Sequence, residues 1–416
     1  MRRVLAFLIL GTTIYLAIAT TAKAAQSLMY LVEPGDTWAA LAMRFGAEER
    51  ELRELNPQFN ASRQPAIGAT IRLPDDATER LGRLERDGNP GLLEVALKNN
   101  VSPWSLATLN DLESPYRPTF FRPLFVPVDG TIRDLPPGID SLELAPAPAM
   151  PGMALGIRGT FQERIANISG VLDGLPISFA SENDRFAGVV GTGAFYAGGE
   201  PELVLKVGDA PPWAQPWLFA KREWIYQELT LTGEAAQIDQ QARDEERARL
   251  REIWSQVTPQ PLWQDQFVTP VTDYLEVSAG YGARRSYNGG PYLTYHEGVD
   301  YSAYGGTPVV APAAGKVVLA EPLYVRGGAV IIDHGLGIFT GFYHLSAIHA
   351  TAGQTVSPGD VVGEVGTTGL STGNHLHWDL LVNGIWVDAA AWQEQQMDCW
   401  LLEGLGGACV SIGTAD

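Results

Sequence analysis

Apolar and polar positions change period several times along this 416-residue chain, and each change marks a unit. Over residues 154–232, runs such as "GVLDGLPISFA", "FAGVVGTGAFYA" and "PELVLKV" alternate apolar and polar positions between Gly, Asn and Asp breaks. A period of two predicts short antiparallel strands, packed here as a β-sandwich. The same alternation returns over residues 263–393 in "GTPVVAPAAGKVVLAEPL", "GGAVIIDHG", "GIFTGFYHLS", "GDVVGEVG" and "HLHWDLLVNG", with no helical period through any of them. Between these regions, "GEAAQIDQQARDEERARLREIWSQ" (233–256) is dense in Ala, Glu, Arg and Gln and predicts a helix. Its mixed charges suit a solvated helical connector over 233–262, laced by i,i+4 pairs. Residues 30–74 read as strand, helix, helix, strand. Pro34-Gly35 makes the first turn, and Asp36 and Thr37 are cap-type residues before Trp38, Leu41, Ala42 and Phe45. Gly46 stops that helix, and the next carries Leu52 and Leu55 before Asn56-Pro57 and the closing "ATIRLP".

The first unit, 28–74, resembles a LysM module in its "PGDT", "FG", "LNP" and "IRLP" landmarks. The resemblance implies binding of N-acetylglucosamine polymers. Residues 80–128 repeat the order more faintly, with a helix at Leu92–Lys98, another before Leu109-Asn110 and a strand "PLFVP", but no "GDT" turn. This is read as a degenerate LysM-like module, either a second glycan binder or a spacer. Residues 129–153, with "LAPAPAMPGM", read as a Pro/Ala-rich linker. The expected fold class is therefore mainly β and multidomain, with small βααβ modules, a sandwich and a C-terminal antiparallel sheet.

Composition narrows the function. The 45 Gly and 28 Pro favour turn-rich β structure, and a net charge of −19 argues against nucleic acid or an anionic membrane surface as partner. The acidity is concentrated late, with 15 Asp and Glu against 4 Lys and Arg over residues 263–416. Arg2 and Arg3, the apolar "VLAFLILGTTIYLAIAT" and Ala22-Lys23-Ala24 read as an export signal, 1–24, cleaved before Ala25, with an uncleaved anchor as the alternative. An exported chain is expected outside the cell, associated with the cell wall or in a periplasm. Oxidising conditions there favour a disulfide between Cys399 and Cys409, the only two cysteines, in the tail 394–416.

All six histidines fall between His296 and His377. On a strand, His375 and His377 of "HLHW" share one face with Cα atoms about 6.5–7 Å apart. In "HEGVD", a straight strand would hold His296 and Asp300 roughly 13 Å apart, too far for one ion with bonds near ~2 Å. Gly298 allows the chain to bend and bring them together. His296, Asp300 and one histidine of "HLHW" then make three N/O ligands, the count that leaves catalytic zinc an open position. His344 of "YHLS" and the remaining histidine are placed to handle protons. His334 and His349 have no assigned task and are expected to be structural or exposed.

Residues 263–393 resemble the LytM/lysostaphin-type zinc endopeptidases. The resemblance runs through "GYGARRSYNGGPYLTYHEGVDYSA", "GTPVVAPAAGKVV", "VIIDHGLGIFTGFYHLS" and "VSPGDVVGEVGTTGLSTGNHLHWDL". It implies Zn2+ held by His296, Asp300 and His377, with His344 and His375 as the catalytic histidines. It also implies a highly twisted antiparallel sheet with a groove over its face. The expected function is an exported zinc endopeptidase cutting peptidoglycan cross-links, tethered to glycan by LysM. The alternative is a non-catalytic wall-binding protein or activator of other wall hydrolases.

Overall fold

The computed structural model describes residues 28–59, 63–85, 91–116, 124–163, 167–230, 240–256 and 258–409. The export signal expected over 1–24 lies outside them, as do 233–239 of the expected connector. The chain is mostly β. In the first unit, strands Met29–Leu31 and Thr70–Arg72 pair antiparallel around helices Trp38–Phe45 and Glu49–Leu55. Thr37 caps the first helix by accepting from the Ala40 N–H, and Gly46 ends it with φ 66°. Val32, Trp38, Leu41, Leu52 and Ile71 fill its core.

One side chain closes this unit. Asn56 Nδ2 donates to the carbonyls of Leu52 and Arg72, and its Oδ1 accepts from the Arg72 N–H. The following segment repeats both the order and the device. Strands Leu81–Glu85 and Leu124–Thr131 flank helices Leu92–Lys98 and Pro103–Leu109. Asn110 binds the Leu106 and Phe125 carbonyls and the Phe125 N–H in the same way.

Two four-stranded sheets follow. One runs in the order Ile139–Ala145, Ala154–Phe161, Arg185–Gly191, Ser178–Glu182, and the other Trp213–Pro216, Glu202–Val207, Ile168–Leu172, Leu175–Pro176. Leu155, Ile157 and Phe186 of the first meet Leu172, Leu203 and Leu205 of the second in one core. The stretch 129–153 is thus not a plain linker. Ile139–Ala145 is an edge strand paired with Ala154–Phe161, because its Ile139 and Leu142 are buried in that core while Ser141 and Glu143 face outward.

The "PGDT" turn of the first unit is buried against this sandwich. The Gly35 N–H donates to Gln215 Oε1 at 2.9 Å, and Gln215 Nε2 donates to the Asp36 and Pro65 carbonyls. Thr37 Oγ1 lies 3.4 Å from Asp134, and Ile67 makes a parallel bridge with Trp217. Asp36 and Gln215 are both fully buried.

The C-terminal region is an antiparallel sheet in the order Glu276–Ala279, Val299–Ser302, His375–Val382, Ile338–Leu345, Gly327–Gly335, Gly315–Leu323, Thr355–Val356. Leu376, Trp378 and Leu380 point to the main core, and His375, His377, Asp379 and Leu381 to the opposite face. Helix Gln240–Trp254 lies on that second face. It is not the solvated connector its charges suggest: Leu250 and Trp254, at i and i+4, are buried against Phe339, Tyr343 and Leu381. Behind the sheet, helix Met397–Gly404 packs on the sandwich, with Trp400 against Gly156 and the Arg158 guanidinium 4.4 Å from its ring. Cys399 and Cys409 are joined in a disulfide.

Candidate active site

Three chain segments bring five side chains to one point on the face of the sheet. His296 precedes the strand Val299–Ser302, which carries Asp300; that strand pairs with His375–Val382 so that Asp300 lies opposite His377. His296 Nε2, Asp300 Oδ1 and His377 Nδ1 converge, with separations of 2.9, 2.7 and 3.0 Å. Gly298 is needed for a different reason from the expected bend. Its φ is not left-handed, but a Cβ there would overlap the Trp378 carbonyl and come within 2.9 Å of His377 Nε2. The missing side chain is what lets this segment lie against the histidine strand.

The protonation pattern is set by backbone. The His296 Nδ1–H donates to the Gly280 carbonyl at 2.9 Å, which leaves Nε2 with its lone pair toward Asp300. Burial would raise the Asp300 carboxyl, but the imidazoles of His296 and His377 packed against it outweigh that and hold it well below its ordinary value. Burial pushes His377 down to about 3, so it is neutral. A tetrahedral ion with bonds of ~2.0–2.1 Å spaces its ligand atoms by about 3.3 Å. Two nitrogens and one oxygen, already within 3.0 Å of one another, match that donor set after a small expansion, and the three form a group able to hold a metal ion.

His344 reaches the site through a β-bulge. Gly328 pairs with Leu345 but Val330 with Phe342, so Tyr343 and His344 together face the single residue Ala329. Phe342 and Leu345 belong to the core behind the sheet, and simple alternation would send His344 there with Phe342. The bulge, with His344 at φ 62°, turns its ring to the histidine face, 4.7 Å from His375 and 6.2 Å from His377. Left-handed backbone is uncommon outside glycine and concentrates at functional sites. Its Nδ1–H donates to the Thr368 carbonyl, and burial, aided by His375, pushes its pKa down to about 4. The His375 Nδ1–H is tied to the Gly373 carbonyl at 2.8 Å, and its Nε2 stands 3.9 Å from Asp300 Oδ1.

The residues around this cluster are ones that motif reading does not reach. Arg326 pairs with Glu246 of the overlying helix at 3.2 Å and with Glu297 at 3.0 Å, while Arg247 of the same helix pairs with Glu297 at 2.6 Å. The Arg326 carbonyl accepts from the His344 N–H. Arg284 stacks between Phe195 and Trp224 at 4.2 and 4.6 Å, joining the sandwich to the segment before His296. Arg285 stands 3.6 Å from Asp300. The available signal was scarcity: of the four Lys and Arg in residues 263–416, three are gathered here. His334 and His349 lie elsewhere, the first fully buried and hydrogen-bonded to Thr340 and the Ala314 carbonyl, the second exposed and 3.0 Å from Glu364.

Residues 294–389, which include all five side chains, match the model of Peptidase family M23, and residues 30–74 match the LysM domain model. The chain carries an M23-type peptidase domain and a LysM domain. It is 37% identical over 120 residues to the peptidoglycan DD-endopeptidase ShyA of Vibrio cholerae, covering 29% of this chain and 28% of that one. It is 40% identical over 114 residues to the DD-carboxypeptidase/endopeptidase Mpg of Neisseria meningitidis, covering 27% and 25%. The solved catalytic domain of lysostaphin from Staphylococcus simulans is 30% identical, covering 29% of this chain and 92% of that one, with a TM-score of 0.26. The chain spans about a quarter of the length of the curated relatives it matches.

Proposed function

We propose that the chain is an exported zinc endopeptidase that hydrolyses peptide cross-links of peptidoglycan in the cell wall or periplasm. The observation that carries this reading is the convergence of His296, Asp300 and His377 beside two histidines whose Nδ1–H groups are tied to backbone carbonyls. His296 Nε2, Asp300 Oδ1 and His377 Nδ1 would hold the zinc. Bound there, zinc supplies polarisation of the scissile carbonyl and a water of lowered pKa. The rest falls to the protein. Backbone carbonyls fix both Nδ1–H groups, so His344 and His375 present Nε2 as a base of fixed direction. One takes the proton of the attacking water and passes it to the leaving amine. The other, carrying on Nε2 a proton taken from solvent before the attack, donates a hydrogen bond to the charge that develops on the carbonyl oxygen.

The LysM unit, with the second βααβ unit beside it, would hold the glycan. Since its "PGDT" turn is docked on Gln215, it would present glycan at a fixed distance from the groove rather than on a loose tether. The test is zinc content together with release of peptides from purified walls, for wild type, His344→Ala and Asp300→Ala. Wild type should carry zinc and cut; a zinc-free wild type, or variants that cut equally well, would overturn the reading. Wall binding without release of peptides would make the chain a wall-binding protein or hydrolase activator instead.

A further inference from the structure

Arg285 has no task in the hydrolysis described above, yet its position beside Asp300 is specific. It lies on the strand Arg284–Tyr287, whose alternation sends Arg284 inward to Phe195 and Trp224 and Arg285 the other way, toward the metal-binding group. Arg285 Nη2 is 3.6 Å from Asp300 Oδ2, while Oδ1 of the same carboxylate faces His296 and His377. The guanidinium therefore stands one carboxylate away from the ligand cluster. Its Nε–H donates to Gln227 at 3.3 Å, and among the described residues neither Nη group makes a hydrogen bond. The side chain is about one-fifth exposed, so it is open to solvent beside the cluster.

Asp300 is also the only carboxylate paired with Arg285 among the described residues. Its charge is shared once a divalent cation sits on Oδ1. A planar fork of N–H donors, partly withdrawn from water and short of an anion, is suited to a carboxylate that arrives with the substrate. Its distance from the cluster matches a carboxylate on the carbon that bears the scissile nitrogen, because that carbon follows the carbonyl at the metal by only two bonds.

We propose that Arg285 is a specificity-determining residue that binds the free α-carboxylate of the leaving residue. The substrate class is then peptides whose scissile amide nitrogen sits on a carboxylate-bearing carbon. This rests on the peptidase reading above.

The experiment uses the zinc-loaded full chain and two synthetic cross-linked stem peptides, identical except that one has the leaving residue's carboxylate amidated. Wild type should prefer the free carboxylate, with the difference in KM, by roughly 10- to 100-fold. Arg285→Gln should keep its zinc but lose the preference, with the KM ratio of the two peptides falling toward one, and Arg285→Lys should regain part of it. Titrating both peptides onto zinc-loaded protein carrying His344→Ala, with and without Arg285→Gln, reads the same discrimination as binding. A wild type that treats both peptides alike, an Arg285→Gln variant with an unchanged ratio, or equal losses on both peptides with loss of zinc would overturn the inference. Should wild type cut neither peptide, the peptidase reading fails, and the binding titration still decides the role of Arg285.

Discussion

The rings of His344 and His375 lie 4.7 Å apart, and each is tied by its Nδ1–H to a backbone carbonyl, of Thr368 and Gly373 respectively. Two imidazoles so close and so anchored have one useful nitrogen each. They act on the same small volume, so their contributions should not be independent. His344→Ala and His375→Ala are each expected to lower kcat by roughly 10²–10⁴-fold with zinc retained. The double variant should be little worse than the poorer single one. Metal content and single-turnover rates of the three proteins check this, and loss of zinc in either single variant would count against their place outside the ligand set.

Gly298→Ala tests the close approach of the "HEGVD" segment to the histidine strand. The added methyl meets a backbone carbonyl at Trp378, which cannot rotate away, and the ring of His377. The two strands must separate, at a cost of about 1–3 kcal/mol. That separation would pull Asp300 from His377, so zinc affinity should fall along with melting temperature. Equal loss of stability with unchanged zinc affinity would show that the segment moves as a rigid piece.

The histidine cluster was legible because its chemistry is carried by residue type and by the period of two. "HLHW" and "HEGVD" name four of the five side chains; the βααβ order follows from caps, stops and helical spacing, and the sandwich from short-range alternation. Three features were not legible. The bulge that turns His344 has no local marker in "GFYHLS", since it depends on how Gly328 and Val330 pair from another strand. The helix Gln240–Trp254 looks solvated from its charges, and only Leu250 and Trp254 show the buried side. Ile139–Ala145 precedes two Ala-Pro steps and reads with them as linker, because proline marks the end of a strand without showing where it began.

His334 gives a pH dependence that can be isolated. It is fully buried, and loss of solvation pushes its pKa from 6.5 down to about 4. Above pH 6.5 it is neutral in both folded and unfolded chains and adds no slope. As pH falls from 6.5 toward 4, the unfolded chain takes up a proton that the folded chain does not, so stability is lost over that window. The loss should approach about 3 kcal/mol near pH 4. His334→Gln should flatten this part of the curve relative to wild type, measured by denaturant midpoints between pH 7 and 4.5. Parallel curves for the two proteins would mean that His334 takes up its proton in the fold.

Gln215 makes three hydrogen bonds to the first unit, to the Gly35 N–H and to the carbonyls of Asp36 and Pro65, in a place closed to water. Gln215→Ala leaves all three backbone groups unpaired while removing little apolar contact. Each buried unpaired group costs about 1–3 kcal/mol, so a docked arrangement should lose most of its advantage over an undocked one. The unit has its own core around Trp38, Leu41 and Ile71, so it should stay folded when released. The expected outcome is a larger radius of gyration in small-angle scattering and new protease cuts between residues 75 and 135, with unchanged cleavage of small soluble peptides. Release of intact walls should slow, because glycan would no longer be presented at a fixed distance from the histidines. A variant that scatters like wild type would show that Ile67 and Trp217 suffice to hold the unit in place.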